Sequence, residues 1–557
     1  MASKELGPFR GIDARPGAAD RAGGMLDAKN LLIAADGGLV RRPALTVRAT
    51  LPSDSKGLYA VGDQLRTLAT YQIDASTLTD GTNSQSATAL IVVDTTGFPA
   101  SGRFTLIDGT VSREYEYTAK TGTTFTGLTP ALVTDYAAGL AVRYDDCAQD
   151  DGLLPTIYVD YMTDPTPKVM DDVLGTVIGS DGRTVALVHY DDESTALHRL
   201  PPVSEPPLTA TEVAGLGFIP EFSLVRAAGR AFVLDGSLRY LRYSQLDSND
   251  ADKLIDFTGN PDLTSGSGFL EVSQFASGAG DPQGLVLFGG RMVVLYRGAC
   301  LIYRIDADQS RFFLEQQING PGTSAPRSAA ELGADTIFLS DAGVRVLSTV
   351  MQTLDAREDA IGGRIDHLAK RYAADQNITP IGIYCRRLGC YLLAFGQDVL
   401  CLSVLPGSAV LGWTRWRLPV AVDGWAESGG LLWMRSGVIL YAFEDTEDQD
   451  ETAPGVFVDI PVLGETLPIR GTRETIAAAV AAASTESVKV QVVADGRPGV
   501  DINEVPIGLP ITLPPRAPEP ARQLVGKLGR TFSVRFYDAA AVAGWRLDNL
   551  WLDVERA

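Results

Sequence analysis

Along much of this chain apolar residues come in runs of four or five, each entered from a Gly-led turn and followed by a second turn and a second apolar run. Five stretches share the design: AAGRAFVLDGSLRYLRYS (227 to 244), FGGRMVVLYRGACLIYRID (288 to 306), LGADTIFLSDAGVRVLST (332 to 349), RRLGCYLLAFGQDVLCLSV (386 to 404) and ESGGLLWMRSGVILYAFED (427 to 445). Short apolar runs between turn signals have strand character and read as hairpins. The aligned glycines Gly229, Gly289, Gly333, Gly389 and Gly429 lie 60, 44, 56 and 40 residues apart. That is the spacing of propeller blades made of hairpins. Weaker copies lie upstream: SDGRTVALVHYDDESTALHRL (180 to 200) supplies Gly182, and AVGDQLRTLATYQID (60 to 74) supplies Gly62. The expected fold is mainly β, a β-propeller of six to eight blades over residues 46–73 and 146–450.

The gap between Gly62 and Gly182 is too long for one blade, and a segment of different character fills it. Residues 74–145 open with a polar Ser/Thr/Asn/Gly loop and continue as LIVVDTTGFPASGRFTLIDG, EYEYTAKTGTTFTGL and AAGLAVRY. In EYEYT, Glu114 and Glu116 alternate with Tyr115 and Tyr117, the period of a strand with one wet face. A small β-domain inserted at a propeller loop accounts for this, since exposed loop tips tolerate insertions. One stretch has helical spacing: DAREDAIGGRIDHLAKRYAADQN (355 to 377) sets Ile361, Ile365, Leu368 and Tyr372 on one stripe and leaves His367 off it. TIAAAVAAAS (475 to 484) is the longest helix-like apolar tract, about half of what a membrane span needs. After the acidic run at 444–451, alternation in Thr531 to Tyr537 and Trp545 to Val554 predicts half-buried antiparallel strands. Residues 451–557 are expected to form a C-terminal β-sandwich, and residues 1–45 an N-terminal arm and interface segment.

Charge and chemistry narrow the function classes. Asp and Glu outnumber Lys and Arg by 69 to 48, a net charge of −21, whereas nucleic-acid-binding surfaces are normally basic. Five cysteines without CxxC spacing and three histidines, His189, His198 and His367, give little support to a metal site and favour reduced, buried thiols. No cofactor is expected. GxSxG, Walker A and GxGxxG strings are all missing, so no catalytic residue is assigned and the chain is expected not to be an enzyme. Carboxylates are numerous enough that a glycosidase pair stays open on counting alone. The acidic run lacks the order of a calcium loop. All six tryptophans follow residue 412 beside apolar strand residues, which makes core packing their expected use and a sugar- or protein-binding row the alternative. MASKELGPFRGID has no apolar core of the signal-peptide kind, so classical export is not expected.

The opening MLDAKNLLIAADGGLVRRPAL (25 to 45) resembles the start of phage tail nozzle and packaged-DNA stabilisation proteins, supplying Ala28, Asn30, Gly37, Gly38, Leu39, Arg41, Arg42 and Pro43, with Ala44 where Gly is usual. The segment VDTTGFPASGRFTLIDG…YEYTAKTGTTFTGL is similar to a small β-module of phage tail proteins, with Pro130 and Ala131 where an Arg-Gly pair is common. Blade strings such as FGGRMVVLYRGACLIYRI and the ending GRTFSVRFYD…WRLDNLWLDV resemble the same proteins.

The resemblance implies a structural protein of the virion tail, a nozzle or hub, assembled in the host cytoplasm. It implies a homo-oligomer, a hexameric ring around the DNA exit channel that retains the genome and lets it pass on infection. Its partners would be other tail proteins (adaptor, tube or fibres), the host surface, and double-stranded DNA in transit without specific binding. An acidic wall fits transit, because it offers no counterion release to a passing duplex. The alternatives are a receptor-binding tail protein and a propeller glycosidase acting on host surface polysaccharide. Arg41 and Arg42, between a Gly-Gly turn and Pro43, are expected to be exposed and are the candidate contacts to a neighbouring subunit or tail protein.

Overall fold

In the computed structural model, the described residues are 2–5, 11–13, 25, 27–51, 55–61, 64–69, 76–95, 102–108, 111–143, 148–149, 157–162, 170–180, 183–200, 209–237, 239–247, 251–258, 264–275, 279–320, 322–333, 335–348, 361–375, 377–404, 410–444 and the strands between 456 and 554. The fold is mainly β. Contacts divide it into two compact units, one of Met1–Leu51, Phe222–Leu246 and Phe257–Ala557, the other of Pro52–Glu221 and Asp247–Asp256.

In the first unit each of the five repeats makes its own antiparallel sheet in chain order. The first sheet is Pro220–Ala227, Arg230–Asp235, Tyr240–Tyr243 and Gly268–Glu271; the second is Pro282–Phe288, Arg291–Tyr296, Ala299–Arg304 and Phe313–Asn319. The third has three strands, Ala330–Leu332, Asp335–Ser340 and Gly343–Val346. The fourth begins Ile381–Cys385, Cys390–Phe395, Asp398–Val404 and Val410–Arg417, and the fifth is Gly424–Ser428, Leu431–Ser436 and Ile439–Glu444. The second, third and fourth sheets each set their first strand against the next sheet, and the first sheet sets Arg230–Asp235 against Pro282–Phe288. Side chains pin these approaches: Thr336 Oγ1 donates to Leu287 O (2.6 Å) and Tyr391 OH to Ser328 O (2.7 Å).

Hydrophobic cores fill the spaces between consecutive sheets, which explains the continuous apolar runs. On Arg291–Tyr296, Met292, Val294 and Tyr296 face the first sheet, while Val293 and Leu295 face the third. Trp416 of the fourth sheet packs with Trp425 and Phe443 of the fifth. A strand sandwiched between two sheets has no wet side, so every position is apolar. Burying each such side chain contributes about 1.5–3 kcal/mol.

Both chain ends enter this stack. Ala44–Thr50 pairs with Ile439–Glu444 as the outermost strand of the fifth sheet, and Arg48 reaches Glu444. Asp27–Lys29 extends the fourth sheet beyond Val410–Arg417 and is followed by Val456–Val462, Phe532–Asp538, Val488–Ala494 and Ile511–Leu513. A second sheet joins Leu31–Ile33 and Leu39–Arg41 to Arg546–Val554, Glu474–Val480 and Ala521–Leu524, and Ala2–Glu5 also pairs with Arg546–Val554. The N-terminal arm and the C-terminal strands therefore share sheets. The tract read as helix-like, 475–484, overlaps the strand Glu474–Val480, because pairing on two sides outweighs the intrinsic helix preference of alanine.

The second unit holds the two weaker repeats and the 76–143 segment. Residues 56–69, 157–162, 170–200 and 209–212 contribute strands to one eight-stranded sheet, where separate blades were expected. Strands from Ser76–Leu78 to Ala141–Arg143 pair, among the described residues, only with one another. Their core includes Leu90, Phe104, Tyr115, Phe125 and Tyr136, with Tyr115 and Tyr136 joined hydroxyl to hydroxyl at 2.7 Å. Tyr115 and Tyr117 point inward and Glu116 outward, as the alternation predicts.

Candidate functional site

Residues that carry the family resemblance converge on one junction. Asp27–Lys29 lies beside Val410–Arg417, where Arg415 forks onto Asp27, with Nε and Nη2 each 2.6 Å from a carboxylate oxygen. Asn30 then turns the chain with φ 58°, a left-handed conformation that Asn tolerates better than most residues. Its backbone N–H donates to Arg415 O (2.7 Å), and its Oδ1 accepts from Arg417 N (2.9 Å) and Arg42 Nε (3.3 Å). Leu31 O accepts from Thr414 Oγ1 (2.6 Å) and Trp416 Nε1 (2.9 Å). The Leu31–Ile33 and Leu39–Arg41 hairpin closes through Gly37, at φ 85°, and Gly38 N–H, which donates to Asp36 Oδ1.

This geometry corrects the reading of Arg41 and Arg42, which are 6% and 0% exposed. The Gly-Gly turn that was to present them lies at the far end of the hairpin. By residue 41 the chain is paired with Leu31, and Arg42 is held by Asn30 Oδ1 and by Pro43 O at 2.9 Å. The arginines tie this chain together and do not project from it. Asn30→Ala is expected to lose about 2–3 kcal/mol through strain and orphaned donors, and Asn30→Gly about half of that, because glycine restores the φ but not the carboxamide. Thermal unfolding of both variants decides it; an alanine variant as stable as the parent refutes the keystone role.

A second constellation lies at the ends of the first strands, next to the aligned glycines. Glu427 of the fifth sheet accepts from Arg386 N (3.1 Å) and Arg387 N (3.0 Å) in the turn of the fourth, and Cys385 Sγ stands 3.8 Å from the same carboxylate. Arg387 Nη1 returns a bond to Phe443 O (3.2 Å). On the third sheet, desolvation pushes the Glu331 carboxyl above its ordinary range, and the positive charge of Arg386 opposes the shift. Glu427 is fixed by two N–H donors as an acceptor that ties neighbouring sheets, a structural use of charge.

The remaining candidates are distributed through the fold. Trp413, Trp416, Trp425 and Trp433 are buried in cores, as core packing requires. The strand position of Trp551 is seen, and Trp545 lies outside the described residues. Cys300, Cys385, Cys390 and Cys401 are buried free thiols, and burial pushes Cys300 and Cys385 up to about 12. Cys147 lies outside the described residues. His198 is buried against Tyr190 OH (2.6 Å), His189 lies 3.3 Å from Asp171, and His367 is exposed on the helix Asp366–Ala373. Among the described residues no group of three His, Cys, Asp or Glu is arranged to hold a metal.

No known family model and no curated protein matches the chain. Among solved structures it is similar to an exo-β-1,3-galactanase from Phanerochaete chrysosporium, at 11% identity and TM-score 0.24 over 85% of this chain and 100% of that one. It is also similar to the Pan2 WD40 domain of Neurospora crassa, at 9% identity and TM-score 0.29 over 67% of this chain and 90% of that one. Likenesses this distant transfer neither a fold nor an activity.

Proposed function

We propose that this chain is a structural subunit of a phage tail, a nozzle or hub, in which a β-propeller is closed by its own termini and copies form a ring around the DNA exit channel. The five stacked sheets of the first unit are five of its blades, of which the sequence spacing implies six to eight. The observation that carries the reading is the junction at Asp27–Pro43. The residues that resemble tail nozzle proteins are the ones that lock the N-terminal arm between the fourth sheet and the C-terminal strands. Strands from both chain ends seal the stack, which suits a scaffold that must hold against packaged DNA. The formal charge of −21 supports transit without capture, because few phosphates would be neutralised by the wall.

The test is assembly. Purified protein imaged by negative stain is expected to show closed rings, six-fold with an axial channel, and to bind duplex DNA negligibly at low salt. A monomer at all concentrations refutes the ring. A monomer that cleaves surface polysaccharide would replace it with the glycosidase alternative.

A further inference from the structure

Three of the described cysteines meet in one core. Cys385, Cys390 and Cys401 belong to the cluster that joins the fourth and fifth sheets, whereas Cys300 lies in another core with no second cysteine in it. Cys385 ends the first strand of the fourth sheet and Cys390 begins the second, so the two face each other across the base of the turn 386–389. Directly paired residues of antiparallel strands stand about 4.5–5.5 Å apart at Cα, inside the range of about 4.4–6.8 Å that a disulfide spans. Both side chains enter the same core, so their Cβ atoms lean the same way.

Cys401 is placed differently. Its thiol and that of Cys390 are hydrogen-bonded, but in register Cys401 faces Leu392 and Cys390 faces Ser403. Such diagonal neighbours are about 7–8 Å apart at Cα, beyond the reach of a disulfide. The way in to the direct pair is the turn that separates it, where Arg386 and Arg387 are exposed. Burial raises the Cys385 thiol, and the N–H groups of Leu388 and Arg387 oppose that shift by hydrogen-bonding the sulfur. The thiol donates to Glu427 Oε1 (3.8 Å), and the same carboxylate accepts from Arg386 N and Arg387 N. Chemistry at this sulfur is therefore felt where the fourth sheet is tied to the fifth.

We propose that Cys385 and Cys390 are a redox-sensitive pair that closes into a disulfide when the protein meets hydrogen peroxide. The Cys385 thiolate attacks one peroxide oxygen and breaks the O–O bond, leaving a sulfenic acid and a hydroxide that takes up the thiol proton as water. The Cys390 sulfur then attacks the sulfenic sulfur: the S–S bond forms, the S–O bond breaks, and the departing hydroxide leaves with the Cys390 proton as a second water. Two sulfurs are oxidised and one peroxide is reduced to two waters. The link staples the hairpin and removes the S–H donor from Glu427. A chain made in a reducing cytosol carries the dithiol and is stapled in an oxidising medium; that timing rests on the virion reading, and the pairing does not.

The experiment treats the folded full chain with hydrogen peroxide, blocks the remaining thiols and digests the unreduced protein with trypsin. Cleavage at Arg386 and Arg387 parts Cys385, on peptide 372–386, from Cys390 and Cys401, which share peptide 388–415. The expected product is these two peptides joined, with fragmentation placing the bond at Cys390, and with Cys300 still a thiol. The joined species should be lost on reduction. Any other partner for Cys385, an internal bond within 388–415, or unlinked cysteines at both positions overturns the pairing. None of these outcomes depends on assembly, so the pair and the ring fail separately.

Discussion

Arg230→Met is expected to lower the stability of the first unit by about 3 kcal/mol or more, because several buried carbonyls lose a charged donor together. Arg230 is the first residue of its strand and is fully buried. Its guanidinium donates to Ser244 O and Thr264 O (both 2.7 Å), to Ala307 O (3.1 Å) and to Gly266 O. It also lies against the rings of Tyr243 (5.6 Å) and Phe312 (6.0 Å). Burial lowers its pKa, opposed by Tyr243 and Asp308. A planar fork satisfies several acceptors at fixed angles, which a lysine ammonium cannot reproduce, so Arg230→Lys should recover only part of the loss. Calorimetry reports the effect, and limited proteolysis should show cleavage near 264–266 and 307 first. A methionine variant melting within about 1 °C of the parent would mean that the carbonyls find water instead.

How far the sequence reached follows from which contacts are local. The runs around Val293 and Leu392 were legible because a strand buried on both faces must be apolar at every position, and the turns at Gly289 and Gly389 need φ of 53° and 59°. The Glu116 and Tyr117 alternation was legible for the same local reason. Strand pairings such as Leu45 with Phe443 and Lys4 with Leu552 have no local signature, so the arm and the C-terminal strands were assigned to separate domains although they share sheets. Arg41 and Arg42 were misplaced because a charged pair after a turn reads as surface unless its acceptor, here Asn30, is known to stand opposite. Arg230 went unremarked because its acceptors are backbone carbonyls, which every residue has. The helix Asp366–Ala373 is shorter than the amphipathic stretch suggested. Ile365, Leu368 and Tyr372 nevertheless pack on the core as the stripe predicts, and residues 355–360 lie outside those described.

That helix yields the other large effect. The third sheet has three described strands, and Asp366–Ala373 packs against its last one, Gly343–Val346, covering an edge that would otherwise invite pairing with another chain. The contact is close enough that a Cβ on Gly343, at φ 119°, would overlap Asp366, and one on Gly362 would overlap Val344 O. Asp366 holds the helix through a two-pronged ion pair with Arg345, both distances 2.9 Å, and Arg345 also donates to Ala342 O (2.8 Å) and Val344 O (2.6 Å). The Arg345 side chain is 2% exposed. Asp366→Ala leaves that charge buried without its carboxylate, a change that typically costs about 3–5 kcal/mol, whereas removing both partners in Asp366→Ala with Arg345→Met should restore much of the loss. Hydrogen exchange at Gly343–Val346 should accelerate in the single variant and recover in the double, and the single variant should aggregate on mild heating as the edge opens. If exchange in the Asp366→Ala protein matched the parent, the apolar contacts of Ile365 and Ala369 alone would hold the helix and the ion pair would carry no stability.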